Sequence, residues 1–471
     1  MTDNYRTEKD TMGSILVPAH AYYGPQTQRA VENFQISGLK LPRSFIKAQG
    51  IIKSAAASVN MKLGMLDKEI GNAIIEAAEE VIEGKWDDHF VVDVYQAGAG
   101  TSQNMNANEI IANRASEILS GSLDSYSVHA NDHVNMAQST NDTFPSALHM
   151  AAAEIITERL LPSLFQLQKE LEDKAASLMP IVKSGRTHLH DAVPIRMGQE
   201  FSGYAQTIKS AHTQIVQSLD KLYEIGLGGN AIGTVINTHP KYPQLVLEEI
   251  SERTNLPFRQ PENIFSFMQN RNAAIQIMLA LKELSVHLIK MTSDLRLLAS
   301  GPRTGLAEIT LPSVQPGSTI MPGKVNPAIL EMTHMVCCQV IGYETAMATA
   351  GIGSQLEINV MMPVIAHTLL ESIELMSNTI PTLTAKCISG IQANEVICQQ
   401  FSESTLALVT GLSPILGYDL ASQIGMEADE KDVTLKQVLK EKNMLTPEIE
   451  EALKPDKFIQ PGDYTSLNQF S

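Results

Sequence analysis

The chain has 471 residues, 44% hydrophobic and 18% charged, with a net charge of −17. That composition is ordinary for a globular protein but too long for one small core, so two or three domains or one extended body are expected. The negative charge argues against nucleic acid or an anionic membrane as partner and leaves room for a local cationic site that takes a small anion.

Aromatic residues are 5% with a single Trp, so packing relies on Leu, Ile, Val, Ala and 21 Met. The polar start MTDNYRTEKD has no apolar secretory core, and no run approaches bilayer-spanning length. Cys337, Cys338, Cys387 and Cys398 make a poor disulfide framework. A cytoplasmic location follows as an expectation.

Residues 1–50 mix turn signals with little periodicity and read as an extended, loop-rich start. From about 45 to 85 the pattern is helical and ends at Gly84. Phe90 to Tyr95 is strand-like, and QAGAGTSQNMNANE then opens a helix. Strand, Gly-rich turn and helix suggest a dinucleotide fold, but Gln103 stands where the third Gly of GxGxxG belongs. The glycines of GLGGNAIG, at 226, 228, 229 and 233, miss that spacing too.

The middle of the chain carries long apolar seams. Ile156, Leu160, Leu164, Leu167 and Leu171 form one; Tyr204, Ile208, Ala211, Ile215, Leu219 and Leu222 form another. Ile277, Leu281, Leu284, Leu288, Met291, Leu295 and Leu298 alternate steps of 4 and 3 through a stretch free of Gly and Pro. Further helices start after Pro327 and around 363. These predict a mainly α protein with a long central helical bundle whose stripes one chain does not cover, hence a helical oligomer core. The domains expected are 1–140, loop-rich and helical; 141–394, the bundle; and 395–471, small and helical, broken at Gly411, Pro414 and Pro447.

Four polar islands interrupt the helices: residues 98–109 (GAGTSQNMNANE), 129–142 (HANDHVNMAQSTND), 185–191 (GRTHLHD), and a long loop, 301–327, dense in Gly and Pro. That loop contains Gly317-Ser318-Thr319-Ile320-Met321-Pro322-Gly323-Lys324-Val325-Asn326-Pro327. Long loops in compact proteins are commonly lids or binding loops. The islands supply hydroxyls (Thr101, Ser102, Ser139, Thr140, Thr187, Ser318, Thr319), amides (Asn104, Asn106, Asn141, Asn326) and the cations His188 and Lys324. Such donors at helix N-termini suit carboxylates, and two clusters could hold both ends of a small dicarboxylate. No Cys or carboxylate joins the histidines at metal-ligand spacing, and no GxSxG elbow is present. Singly, each island has a plainer reading: Ser139 to Asp142 as a helix cap, His129 to Asn135 as an Asx-rich turn, His188 as a loop histidine, Lys324 as a surface charge. Their joint occurrence favours an anion site.

With these residues assembled, the chain resembles the fumarase/aspartase superfamily. The 318–327 stretch is similar to its signature loop, GSSxMPxKxNP, and the similarity runs from Arg6-Thr7-Glu8-Lys9-Asp10 and Tyr22-Tyr23-Gly24 to the C-terminal region. The resemblance implies a three-domain, mainly α protomer, a homotetramer with a shared helical core, and active sites drawing on three subunits. It implies a reversible anti elimination giving fumarate through an aci-carboxylate dianion, with Ser318 as general base on a closing loop. Thr101, Ser139 and Thr140 match the hydroxyls around the charge-accumulating carboxylate. Thr187, Lys324 and Asn326 match the clamp on the other carboxylate. His188 and Asn141 face the leaving group, with Glu331 orienting His188. His129, Asn131 and Asp132 match a second, peripheral anion site. No cofactor is implied as required, and activation by a divalent cation is left open.

Within the superfamily, GAGTS at 98–102, the Gln138 to Asp142 stretch, Asp191 to Ile195, Gln355-Leu356-Glu357 and Ala328 look like aspartases; fumarases usually read GSGT and QSSND. Leu227-Gly228-Gly229 and Thr238-His239-Pro240 read as fumarase. Thr319, Asn230 and Tyr343-Glu344 fit neither pattern. The expectation is an aspartate ammonia-lyase, with class II fumarate hydratase as the alternative and a fold kept for binding without turnover as a third reading.

Overall fold

The computed structural model describes residues 5–459. The first four residues of the polar N-terminal stretch, and 460–471 of the C-terminal region, lie outside the described residues. At 63% helix, the chain carries about twice the usual helical share. It opens with a hairpin of β1 (Tyr5–Asp10) and β2 (Gly13–Pro18), where irregular chain was expected. The Arg6 guanidinium, fixed by Glu8, donates to the carbonyls of Pro18, Ala21 and Tyr23 and ties this hairpin down. Helices α1 (Pro25–Asn33), α2 (Arg43–Lys62), α3 (Lys68–Ile82), α4 (Thr101–Ser120), α5 (Thr140–Ile155) and α6 (Leu161–Leu178) follow. A second hairpin, β3 (Val182–Thr187) and β4 (His190–Arg196), leads into α7 (Met197–Leu219). Next come α8 (Tyr242–Thr254), α9 (Ile264–Gln269) and the long α10 (Asn272–Leu298), α11 (Ala328–Gly351) and α12 (Met362–Lys386). The chain continues through α13 (Glu395–Ser404), α14 (Ser413–Leu416), α15 (Tyr418–Glu430), α16 (Leu435–Glu441) and α17 (Pro447–Ala452).

Residues Phe90 to Tyr95 form no strand. Phe90, Val92 and Val94 are buried, but the run has no strand partner among the described residues; Val94 N–H meets only the Leu39 carbonyl. A run of β-branched and aromatic residues without a ladder imitates a strand in sequence.

Two compact units divide the chain. The first holds 1–162, 212–285 and 336–378. Its core joins α2, α3 and α4 through Ile46, Ala57, Ile74, Ala77, Val81, Ile110 and Ala115; the many small side chains permit close helix approach. Lys282 of α10 pairs with Glu344 of α11 at 2.5 Å, and Tyr343 of α11 meets the His367 ring of α12 edge-on.

The second unit holds 163–211, 286–335 and 379–471. Tyr204 of α7 donates to Asp294 of α10 at 2.8 Å. The tail packs its own apolar cluster from Leu408, Leu412, Ile424, Val438, Leu439, Ile449 and Leu453.

By length and composition alone, α10 is apolar enough to cross a membrane, which the sequence reading did not expect. Its seam residues Ile277, Leu281, Leu284, Leu288 and Leu295 are fully buried in the chain. Together with the Lys282–Glu344 pair, that burial makes it a core helix.

Candidate active site

In the first unit, two helix N-termini converge. Gly100 caps α4 with φ +83°, and a Cβ there would sit 2.1 Å from the Phe144 ring; one on Gly98 would sit 2.0 Å from the Val360 carbonyl oxygen. These glycines serve close packing, not a nucleotide. Thr101, the first residue of α4, is exposed at the positive end of the helix dipole. Ser139 does cap α5, in a capping box with Asp142: Ser139 N–H donates to Asp142 Oδ1 at 3.0 Å, and Ser139 Oγ accepts from Asn141 N–H at 3.2 Å. The capping role and a ligand role are compatible, because Thr140 and Asn141 occupy the first turn beside it.

Asp142 Oδ2 also accepts the Gly228 and Asn230 N–H groups at 3.1 and 2.8 Å, which explains the GLGGN loop. Burial pushes the Asp142 carboxyl up to about 7. The Asn141 amide donates to the Ala231 carbonyl at 2.8 Å. Between the two helix starts, Asn104 Nδ2 donates to Thr140 Oγ1 at 3.1 Å. Below lies Lys53 of α2, 1% exposed, its ammonium on Asn104 Oδ1, Asn135 Oδ1 and Gln138 Oε1 at 2.9, 3.0 and 2.9 Å. Burial pulls this lysine down to about 7, opposed by the Asp142 charge.

In the second unit, Thr187 and His190 pair across a two-residue turn made by His188 and Leu189. Both turn residues have positive φ, 56° and 61°, the pattern of a type I′ turn usually given to Asn and Gly. Two bulky side chains in the left-handed region at a hairpin tip are strained positions of the kind that cluster at functional sites. Thr187, His188 and Leu189 are all exposed there.

The hairpin rests on a buried charge cluster. Lys183 reaches Glu200 at 2.8 Å and Glu308 at 3.0 Å, and Arg186 meets both Glu308 oxygens at 3.0 Å. Glu308 is fully buried and stands in the stem of the 299–327 loop, its backbone N–H on the Leu298 carbonyl. The stem is further fixed by the short ladder of Ile309–Thr310 with Gln392–Ala393.

That loop folds on itself. Gly317 N–H donates to the Lys324 carbonyl at 2.9 Å, and the Asn326 amide donates to the Gly317 carbonyl at 2.5 Å. Ser318 Oγ accepts the N–H groups of Met321 at 2.9 Å and Ile320 at 3.3 Å. Two backbone donors aimed at one hydroxyl oxygen favour its alkoxide form. Lys324 lies exposed on the same loop.

The family described as Lyase matches residues 13–342, and the one described as Fumarase C C-terminus matches 408–460. The chain belongs to the fumarase/aspartase superfamily. It is similar to a class II fumarate hydratase of Halobacterium salinarum, 44% identical over 98% of both chains. It is also similar to an aspartate ammonia-lyase of a Bacillus species, 42% identical over 98% of this chain and 99% of the relative. Among solved structures it matches the class II fumarase of Schistosoma mansoni with a TM-score of 0.92 and 36% identity, over 96% and 98% of the two chains.

As a superfamily member, the chain keeps the signature loop hydroxyl, lysine and asparagine in one closed turn. Glu331 stands in the first turn of α11, 3.9 Å from Arg296; among the described residues no hydrogen bond or ion pair joins it to His188. His129, Asn131 and Asp132 sit on a single turn of π-helix and its cap, where His129 Nδ1 accepts the Asp132 N–H at 3.1 Å. The same nitrogen lies 3.2 Å from the Asp132 carboxylate. His129 and Asn131 line a cavity of about 500 Å³ with Thr7, Lys9 and Asn113. Among the described residues no group of three or more His, Cys, Asp or Glu side chains could hold a metal ion.

Lys53, Lys183 and Glu308 were not singled out by the sequence as functional, and Asn104 only as one amide of the 98–109 island. One signal existed for Lys53: Gln49, Lys53 and Asn60 recur at helical spacing among the Ile, Ala and Val residues of α2.

Proposed function

We propose that this chain is a class II fumarate hydratase, interconverting L-malate and fumarate. The observation that carries the reading is the pair of N–H groups on Ser318 Oγ, at the centre of the superfamily's signature loop. The choice of substrate rests on the relatives, most of which are named fumarate hydratases, and on the Fumarase C C-terminal match.

In the forward elimination, Ser318 as alkoxide takes the proton from the carbon beside one carboxylate. The electron pair passes into that carboxylate as an aci-dianion, stabilised by Thr101, Ser139 and Thr140 at the two helix N-termini. Collapse of the dianion forms the double bond and expels hydroxide on the side of His188 and Asn141, where protonation gives water. Thr187, Lys324 and Asn326 clamp the other carboxylate. These groups come from different subunits of a homotetramer, a reading supported by exposed apolar residues on the long helices: Phe165, Leu279, Val286 and Met335.

A second reading, aspartate ammonia-lyase, is favoured by Ala99 within GAGTS, by Gln138 to Asp142, and by the Bacillus relative. Incubating one preparation with L-malate and, separately, with L-aspartate and following fumarate separates them. The fumarate hydratase reading expects malate to be turned over far faster. Fast ammonia release from aspartate with little activity on malate would reverse it.

A further inference from the structure

We infer that Lys53 and Asn104 are positioning residues that fix the hydroxyl hydrogen of Thr140 toward the substrate anion. This rests on the dicarboxylate-lyase reading above. The argument is donor and acceptor arithmetic. Three side-chain oxygens converge on the Lys53 nitrogen, the arrangement its protonated form requires, since an ammonium has three donors and no acceptor. Its three partners are side-chain amides, so each must present oxygen: Asn104 Oδ1, Asn135 Oδ1 and Gln138 Oε1. Asn104 therefore cannot flip, and its NH2 points away from Lys53.

Those two hydrogens go to Asn135 Oδ1 at 3.2 Å and Thr140 Oγ1 at 3.1 Å. The Thr140 oxygen is thus an acceptor on its buried side. Its own hydrogen has no acceptor recorded among the described residues, and it stands in the first turn of α5, at the positive end of the helix dipole. A threonine hydroxyl free to rotate would split its time between accepting and donating roles; this one is committed to donate outward.

The test uses succinate, an unreactive four-carbon dicarboxylate, with calorimetric binding to the full enzyme and steady-state kinetics in parallel. Asn104→Asp keeps an oxygen on Lys53 but replaces the donor by an acceptor, which captures the Thr140 hydrogen. It is expected to weaken succinate binding and raise KM at least tenfold with an unchanged circular-dichroism spectrum. Thr140→Val is expected to cost a similar factor, and the double variant no more than either alone, because both remove one donor. Lys53→Met should behave as Asn104→Asp. Wild-type affinity in a folded Asn104→Asp enzyme, or factors that multiply in the double variant, would overturn the inference. Absence of fumarate formation by the unaltered enzyme from malate and aspartate alike would instead remove the underlying reading, and the inference with it.

Discussion

At the scale of single residues, protonation is set by burial more than by formal pairing. His149 is fully enclosed, with Nδ1 2.8 Å from the Glu224 carbonyl oxygen, so that nitrogen carries the proton and the ring is neutral. Burial, reinforced by the nearby Arg271 charge, pulls its pKa from 6.5 to about 4. Because the folded value is the lower one, the native state binds fewer protons between pH 6.5 and 4. The stability this neutral ring contributes is whole above pH 6.5 and lost as pH falls through 4, on the order of 3 kcal/mol. His149→Asn keeps a donor but does not titrate, so its thermal midpoint should lie below that of the unaltered enzyme at pH 7 and approach it toward pH 4. Parallel curves would contradict this assignment. Sequence could nominate Ser318, Thr187 and His188 because their residue types advertise chemistry. Glu308 was illegible, and Lys53 nearly so, because a buried charge in a helix or loop stem looks like any surface charge until its partners are known.

At the scale of elements, periodicity was the readable signal and pairing the unreadable one. Every residue of the three apolar seams named from sequence is buried, from Ile156 through Leu298. By contrast the β3–β4 hairpin was seen only as a polar island, since no Asn-Gly announces its turn and its two turn residues break the usual preference. Its stability comes from beneath. Glu308 pairs with both Lys183 and Arg186 inside the second unit, and Glu308→Ala would leave Arg186 without that partner and Lys183 with Glu200 alone. A loss of about 3–5 kcal/mol is expected, read as a lower urea midpoint. Relieving the turn strain works the other way: Leu189→Asn should gain about 1 kcal/mol in the same assay. A urea midpoint unchanged by Glu308→Ala would show that the cluster is not what anchors the loop stem to the hairpin.

At the scale of the whole molecule, superfamily membership was legible because four separated islands and the signature loop agree over nearly the full length. Substrate choice was not, because aspartate and malate differ only at the leaving group, and the residues that looked aspartase-like, such as Ala99, sit among others that look fumarase-like. Relatives weigh toward the hydratase where local motifs weighed toward the ammonia-lyase. The exposed Leu279 and Val286, one heptad apart on α10, suit a contact with another chain, as the proposed homotetramer requires. Light scattering should give four times the 51.4 kDa chain mass, and Leu279→Glu should reduce it. The claim on which the rest depends is that a hydroxyl held by two backbone amides removes the substrate proton. Its most direct measurement is fumarate formation from L-malate by the unaltered enzyme and Ser318→Ala, side by side at equal oligomeric state. The account predicts a loss of roughly three or more orders of magnitude in kcat with succinate binding retained. A Ser318→Ala enzyme turning over malate within tenfold of the unaltered rate would contradict it.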